Sequence, residues 1–209
     1  MRRIDISMPL FPGMPSFPGD PPLSLSPLRS RAHRDAYDLS TLSIGTHTGT
    51  HVDPPSHFVT GAASVDQVDL EAPNGPCRVA EVPAGATSAG AEVVRGIPKG
   101  SERVLFRTSN SARWARSLSF FSDYVALDPT AAEALLERRV RSVGIDALSI
   151  ENDPSEAYPV HHRLLRHGTA VLEGLLLADA PGGAYRLECL PLRIRHGDGG
   201  PARAALVAP

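Results

Sequence analysis

Three of the eight histidines in this 209-residue chain fall within eleven positions, together with one carboxylate: His47-Thr48-Gly49-Thr50-His51-Val52-Asp53-Pro54-Pro55-Ser56-His57. Histidine and aspartate are common protein ligands of a catalytic divalent metal. Packing explains a lone histidine far more readily than it explains such a cluster. The stretch points to a metal-dependent enzyme. An open coordination position there would bind water and lower its pKa toward about 7, giving hydroxide at neutral pH.

The spacing constrains the backbone. Gly49, Pro54 and the β-branched Thr48, Thr50 and Val52 all oppose a helix. In a strand, His47, Gly49, His51 and Asp53 would share one face. A flat strand, at about 3.3 Å per residue, would hold His47 roughly 13 Å from His51. Ligand bonds of about 2.1 Å do not span that gap. The chain must bend or bulge near Gly49, and Pro54-Pro55 then stiffens the exit and returns His57 to the same space.

Further donors come from the second half. Glu173 sits inside the apolar run Ala170-Val171-Leu172-Glu173-Gly174-Leu175-Leu176-Leu177. A charge in such a run is costly unless it meets a cation, either a metal or a buried arginine. His161 and His162 precede that run, and spacing alone does not choose between them. Asp146 ends an apolar strand and is either a support for the site or a helix or turn cap. His33, His167 and His196 lie in polar or terminal contexts and read as solvated. The donors suffice for one ion or for two about 3.5–4 Å apart, with Asp53 or Glu173 bridging. His57 is the histidine best placed to stay unligated and move a proton.

The elements that must position these groups follow from local pattern. Residues 1–30 carry seven prolines and read as an extended arm laid over a surface, such as a neighbouring subunit's, rather than a disordered one, with Ile4, Leu10, Phe11 and Phe17 as anchors. Residues 31–209 read as one domain. Strand patterns run over Tyr37–Val52, Val79–Val82, Arg103–Arg107, Val143–Ile145, Ala170–Leu177 and Tyr185–Ile194. Ala91–Arg95 is a short helix ending before Pro98. Asp128 as N-cap and Pro129 as first residue open a helix through Ala131–Arg139, whose basic end suits the helix dipole. A second helix spans Pro159–His167, with Gly168 as its cap. Strands alternating with helices make the fold α/β with a mixed sheet.

Composition excludes several classes. With 42% hydrophobic and 21% charged residues and a formal charge of -2, nothing suggests a nucleic-acid or anionic-membrane partner. No apolar run reaches the roughly 20 residues of a membrane helix, and the start lacks the apolar segment of a signal peptide, so the expected location is cytoplasmic. Cys77 and Cys189 have no metal or redox spacing and read as buried thiols.

The stretch His47–Phe58 resembles the HxGTHxDxPxH signature of the metal-dependent cyclase family. That family includes bacterial kynurenine formamidases, isatin hydrolases and some lactone hydrolases or polyketide-associated cyclases. The resemblance extends to Asp5-Ile6-Ser7, Pro18-Gly19-Asp20, Phe121-Ser122-Asp123-Tyr124, Gly144-Ile145-Asp146, His161-His162, Leu172-Glu173-Gly174 and Leu190-Pro191-Leu192. It implies a swivelling β/β/α fold, kynurenine formamidase-like, assembled as a homodimer or homotetramer. It further implies metal ligation by His47, His51, Asp53, His161 and Glu173, with zinc or manganese as the ion, and His57 as acid/base. Phe17 stands where formamidases of the family often carry tryptophan, and it still offers an aryl ring a platform. Ser149-Ile150-Glu151-Asn152-Asp153 is more like the broad family than its formamidase branch.

The expected activity is hydrolysis of a non-peptide C–N bond, foremost in an N-formyl aromatic amine such as N-formylkynurenine. A cyclic amide or lactone such as isatin is the alternative substrate, and a polyketide-type cyclase or dehydratase a third reading. A non-catalytic metal-binding protein ranks last, because His57 exceeds what a tetrahedral structural site requires. A serine hydrolase is disfavoured, since the chain has no Gly-x-Ser-x-Gly elbow.

Overall fold

Parallel strands can be joined only by crossovers of a dozen or more residues, and this chain builds three of them around helices. The computed structural model describes residues 2–152 and 157–208. Asp153, the last residue of the family-like stretch named above, lies outside the described residues. The strands are β1 (Arg3–Asp5), β2 (Ser24–Arg29), β3 (Leu39–Ser43), β4 (His51–Asp53), β5 (Gly75–Glu81) and β6 (Ser88–Ala89). They continue with β7 (Arg103–Arg107), β8 (Ala126–Leu127), β9 (Ser142–Ile145), β10 (Ala170–Glu173), β11 (Gly183–Pro191) and β12 (Gly200–Val207). The α-helices are α1 (Ala91–Arg95), α2 (Asn110–Trp114), α3 (Pro129–Glu137) and α4 (Pro159–Arg166).

Strands β5, β7, β9 and β10 pair in parallel. Antiparallel pairing then joins β10 to β4, β4 to β12 through Gly200 and Pro201, β12 to β11, and β11 back to β5. The ring closes as a barrel, which removes the open edges of a flat sheet. The fold is α/β with a mixed sheet, as expected; its closure is a feature that the alternation of strands and helices does not convey. β1 runs beside the far end of β12, while β2 with β3 forms a separate hairpin.

Period-2 alternation sorts the side chains. Val79, Leu105, Leu172, Leu187, Cys189 and Leu206 share the core inside the barrel, with Ile6, Leu175 and Leu177 from its seam. Val104, Phe106, Val143, Ile145 and Val171 face outward and share a second core with Val94, Ala131, Leu135 and Leu164 from the helices. Each leucine buried this way stabilises the fold by about 1.5–3 kcal/mol over its exposed state. Both cysteines are buried and free.

Several boundaries differ from expectation for physical reasons. The single strand expected over Tyr37–Val52 is two, β3 and β4, because the Gly45 carbonyl accepts the Thr48 N–H and Gly49 adopts a φ of 66°. The strand expected over Ala170–Leu177 stops at Glu173, where Gly174 turns with a φ of 65°. α3 ends at Glu137, and Arg138 donates to the carbonyls of Arg95, the last residue of α1, and of Ile97 just beyond it rather than serving its own helix end. The strand expected over Tyr185–Ile194 runs as β11 from Gly183 to Pro191. Helix α2 and strand β12 were not anticipated from local pattern.

The chain's first residues pack on their own barrel: Ile6 donates to Ala204 and accepts from Leu176, and Met8 N–H donates to Thr50 Oγ1. Among the described residues no helix is long and apolar enough to cross a membrane.

Candidate metal centre

Pairing register assembles the first part of the site. Across β4 and β10, Val52 lies opposite Leu172, Glu173 opposite His51 and Asp53 opposite Val171. Val52 and Leu172 point into the barrel core, so alternation sends His51, Asp53 and Glu173 to the outer face. His51 Nε2 lies 3.3 Å from both Asp53 Oδ1 and Glu173 Oε2.

The turn at Gly49 supplies the next ligand candidate. It folds the chain back until His47 Nδ1 sits 2.8 Å from Asp53 Oδ1, and the His47 and His51 rings meet edge to face at 5.0 Å. The expected bend is therefore a reverse turn rather than a bulge in a continuous strand. The Gly49 carbonyl accepts a hydrogen bond from His51 Nδ1 at 3.0 Å, which leaves Nε2 as the atom facing the cluster. A side chain at Gly174 would run into the Gly49 carbonyl, so two glycines at positive φ let β4 and β10 approach here.

After Asp53, Pro54 leads into a short 3-10 turn over Pro55–His57 that returns His57 to the site. Its ring stacks on His47 at 4.0 Å. Helix α4 adds His161, whose Nε2 lies 3.1 Å from Glu173 Oε1 and 3.8 Å from Asp53 Oδ2. His162, one residue on, packs its ring against Phe58 at 5.2 Å and does not face the carboxylates. The structure thus brings His47, His51, Asp53, His57, His161 and Glu173 together. Among the described residues no arginine pairs with Glu173; its partners are His51, His161 and the Ile150 N–H.

Glu151 is the residue that reading the sequence missed. Its Oε1 accepts from His161 Nδ1 at 2.5 Å, and its carboxylate also accepts the backbone N–H groups of Val160 and His161. It thereby caps α4, whose Tyr158 N-cap position has no side-chain cap, and it aims His161 Nε2 at the cluster. The signal was present: an acid directly after the buried run Ala147–Ile150, the same argument that singles out Glu173.

Other candidates lie apart. Asp146 accepts from Thr108 and Ser111, each through backbone N–H and side-chain hydroxyl, and so fastens the start of α2 as a turn cap. His33, His167 and His196 are exposed. Phe17 lines a cavity of about 360 Å³ that opens onto His47, His57, His161 and Glu173. Two larger cavities of about 550 Å³ contain no histidine and no cluster of donors.

Charge in the site follows from burial and neighbours. Burial alone would lower the His51 pKa, yet Asp53 and Glu173 hold it well above its ordinary value. His161 is pushed up to about 10, Glu151 and Glu173 outweighing burial. Burial would raise Asp53, but His51 and His47 hold it well below the usual carboxylate value. His57 goes the other way: burial lowers it despite the pull of Asp53, so it is neutral at neutral pH. The field at the centre favours positive charge, whether a proton or a metal cation.

The donor set fits a divalent ion. His47 Nε2, His51 Nε2 and Asp53 Oδ2 are buried and make no hydrogen bond, a costly state that a cation relieves. Donor atoms of His51, Asp53 and Glu173 lie within 4.8 Å of one another, and so do those of His47, Asp53 and His57. The two groups share Asp53, and the second makes His57 a possible ligand as well as a base.

Residues 4–152 match the model of the cyclase family, described as "Putative cyclase". A kynurenine formamidase of Salinibacter ruber is 37% identical over 212 residues, covering 99% of this chain and 97% of the relative. A predicted metal-dependent hydrolase from Bacillus stearothermophilus has a solved structure with a TM-score of 0.83 at 30% identity, over 98% of this chain and 97% of that one. Isatin hydrolase A from Labrenzia aggregata superimposes with a TM-score of 0.85 at 27% identity, over 100% of this chain and 94% of that one. A motif, a barrel seam and a whole-length likeness therefore agree: the chain belongs to the cyclase family.

Proposed function

We propose that this chain is a divalent-metal hydrolase that cleaves a non-peptide C–N bond, an arylformamidase releasing formate from an N-formylkynurenine-like substrate. The observation that carries the reading is the convergence of buried imidazoles and carboxylates at the mouth of an aromatic-lined cavity. Likeness over the whole chain to a kynurenine formamidase supports the choice of substrate.

His47, His51, Asp53, His161 and Glu173 are the residues that would hold one or two ions, and their mixed donors suit zinc or manganese. When bound, the ion supplies a Lewis acid and a water of lowered pKa. His57, neutral through burial, takes a proton from the attacking water and delivers it to the departing aryl amine nitrogen. Phe17 and Phe58 orient the aryl ring, and Glu151 keeps His161 in place. One water is consumed, the C–N bond breaks, and formate and the free amine leave.

A cyclic amide or lactone remains a second reading, favoured by the 0.85 TM-score to isatin hydrolase A. Metal analysis of the purified protein, with assays of formate release and of isatin ring opening, tests both. Formate release with bound zinc or manganese is expected; ring opening without formate release would exchange the first reading for the second, and a metal-free active protein would defeat both.

The active assembly is a homodimer or homotetramer. Hairpin β2–β3 is exposed along both strands and carries Leu25, Leu28, Leu39 and Leu42. An isolated two-stranded hairpin is marginal in water, and a second copy would cover it. Sedimentation of the holoenzyme tests this; a monomer at assay concentration would refute it.

A further inference from the structure

Sequence and geometry meet at the turn Phe17-Pro18-Gly19-Asp20. Proline at its second position and Gly19 at a φ of 99° are the marks of a type II turn, closed by the Asp20 N–H donating to the Phe17 carbonyl at 3.1 Å. Such a turn sets its first and fourth residues side by side. Both side chains line the cavity that opens onto the metal centre. Phe17 is an aromatic wall; Asp20 is a carboxylate with a different task.

Among the described residues Asp20 has no ion pair, and its carboxylate accepts no hydrogen bond. It is half-buried, and that burial holds its pKa above the ordinary value although His47 and His51 pull it down. No lysine or arginine lines the cavity, whose acidic wall residues are Asp20 and Glu173. Glu173 is already engaged by His51 and His161. Of the two wall carboxylates, that of Asp20 is the one with no ion pair or hydrogen bond among the described residues, and it shares the turn with Phe17.

We infer that Asp20 is a specificity-determining residue that receives an ammonium group on the substrate, so the cavity selects aryl formamides bearing a cationic side chain over neutral ones. The inference rests on the arylformamidase reading and deepens it. A carbonyl substrate without an amine, such as isatin, gains nothing from Asp20. A substrate carboxylate finds no cationic side chain in the cavity and remains toward solvent.

The test compares three substrates: N-formylkynurenine, N-formylkynuramine, which keeps the ammonium but lacks the carboxylate, and 2-formamidoacetophenone, which lacks both. The wild-type holoenzyme should bind the kynuramine at least as well as the kynurenine. Asp20→Asn should raise KM for both ammonium substrates by about tenfold or more, the size of a charge-assisted contact, with kcat and the neutral substrate unchanged. Asp20→Glu should restore part of the loss. Added salt should raise wild-type KM for the ammonium substrates alone, a readout that needs no variant. Equal loss of kcat on all three substrates, or no loss on any, would overturn the role given to Asp20 while leaving the formamidase reading intact. A wild-type enzyme inactive on all three would overturn that reading, and the inference with it.

Discussion

Helices α3 and α4 cover neighbouring parts of one barrel surface and share an apolar core, yet only α4 also buries an ionisable group, His161, against charge. Over β7 and β9, Val104, Phe106, Val143 and Ile145 share a core with Ala131, Ala132 and Leu135 of α3. Over β4 and β10, His51, Asp53 and Glu173 meet His161 of α4, with Glu151 behind it. The first face is stable in water by itself, since every contact removes apolar surface. The second is stable only while its charges are matched, because an uncompensated buried charge costs several kcal/mol. Position in the layer decides burial; the side chains decide whether burial serves stability or chemistry.

Exchanging one residue from each face breaks the comparison most sharply. His51→Ala should remove bound metal and lower turnover by about 10³-fold or more, measured by metal analysis and formate release. Leu135→Ala should do the converse, costing about 2–5 kcal/mol in denaturant unfolding while metal content and kcat persist. Loss of metal in the Leu135 variant would show that the two faces are not separable.

Next in size is His57→Ala. Turnover should fall by about 10²–10⁴-fold with most of the metal retained. If metal is lost too, His57 is a ligand, as its place beside His47 and Asp53 permits.

Glu151→Gln should lower metal affinity by about 10–100-fold, read by competition with a chelator, because His161 loses its orienting acceptor and α4 part of its cap. Unchanged affinity would reduce Glu151 to a helix cap.

The last comparison concerns pH. In chelated protein His161 has a folded-state pKa raised to about 10, burial opposing and Glu151 and Glu173 prevailing. The stability this contributes is fully present below the unfolded value of about 6.5 and is lost as pH rises through about 10. The folded chain holds a proton that the unfolded chain lacks, so unfolding free energy falls with pH across that window. Metal affinity moves the other way, since binding releases the proton. Denaturant titrations at both ends of the window, with and without chelator, check both signs.

The two faces also differed in how far the sequence disclosed them. The apolar one was plain: Asp128-Pro129 opens α3 as expected, and Arg103–Arg107 and Val143–Ile145 are strands because continuous apolar runs suit burial on both faces. The charged one was half visible. The dense spacing from His47 to His57 exposes the local donors, and an acid in a greasy run exposes Glu173. Glu151 escaped because its importance lies in a contact with His161 ten residues away, made through α4's N-terminus. Closure of the barrel escaped for a similar reason. β12 reads Gly200-Pro201-Ala202-Arg203-Ala204-Ala205-Leu206-Val207, with little strand propensity and a proline that argues against a sheet interior. Pairing with β11, β1 and β4 imposes the extended form, and propensity yields to those distant partners.

Strand β4 is only three residues long, yet it both joins the ring to β12 and carries His51 and Asp53. An ion held by these residues would therefore be coupled to closure of the hoop, as its clasp. Chelation should hasten protease nicking first around this seam, ahead of the helix-covered strands, so the protein's survival time would report how much ion it carries.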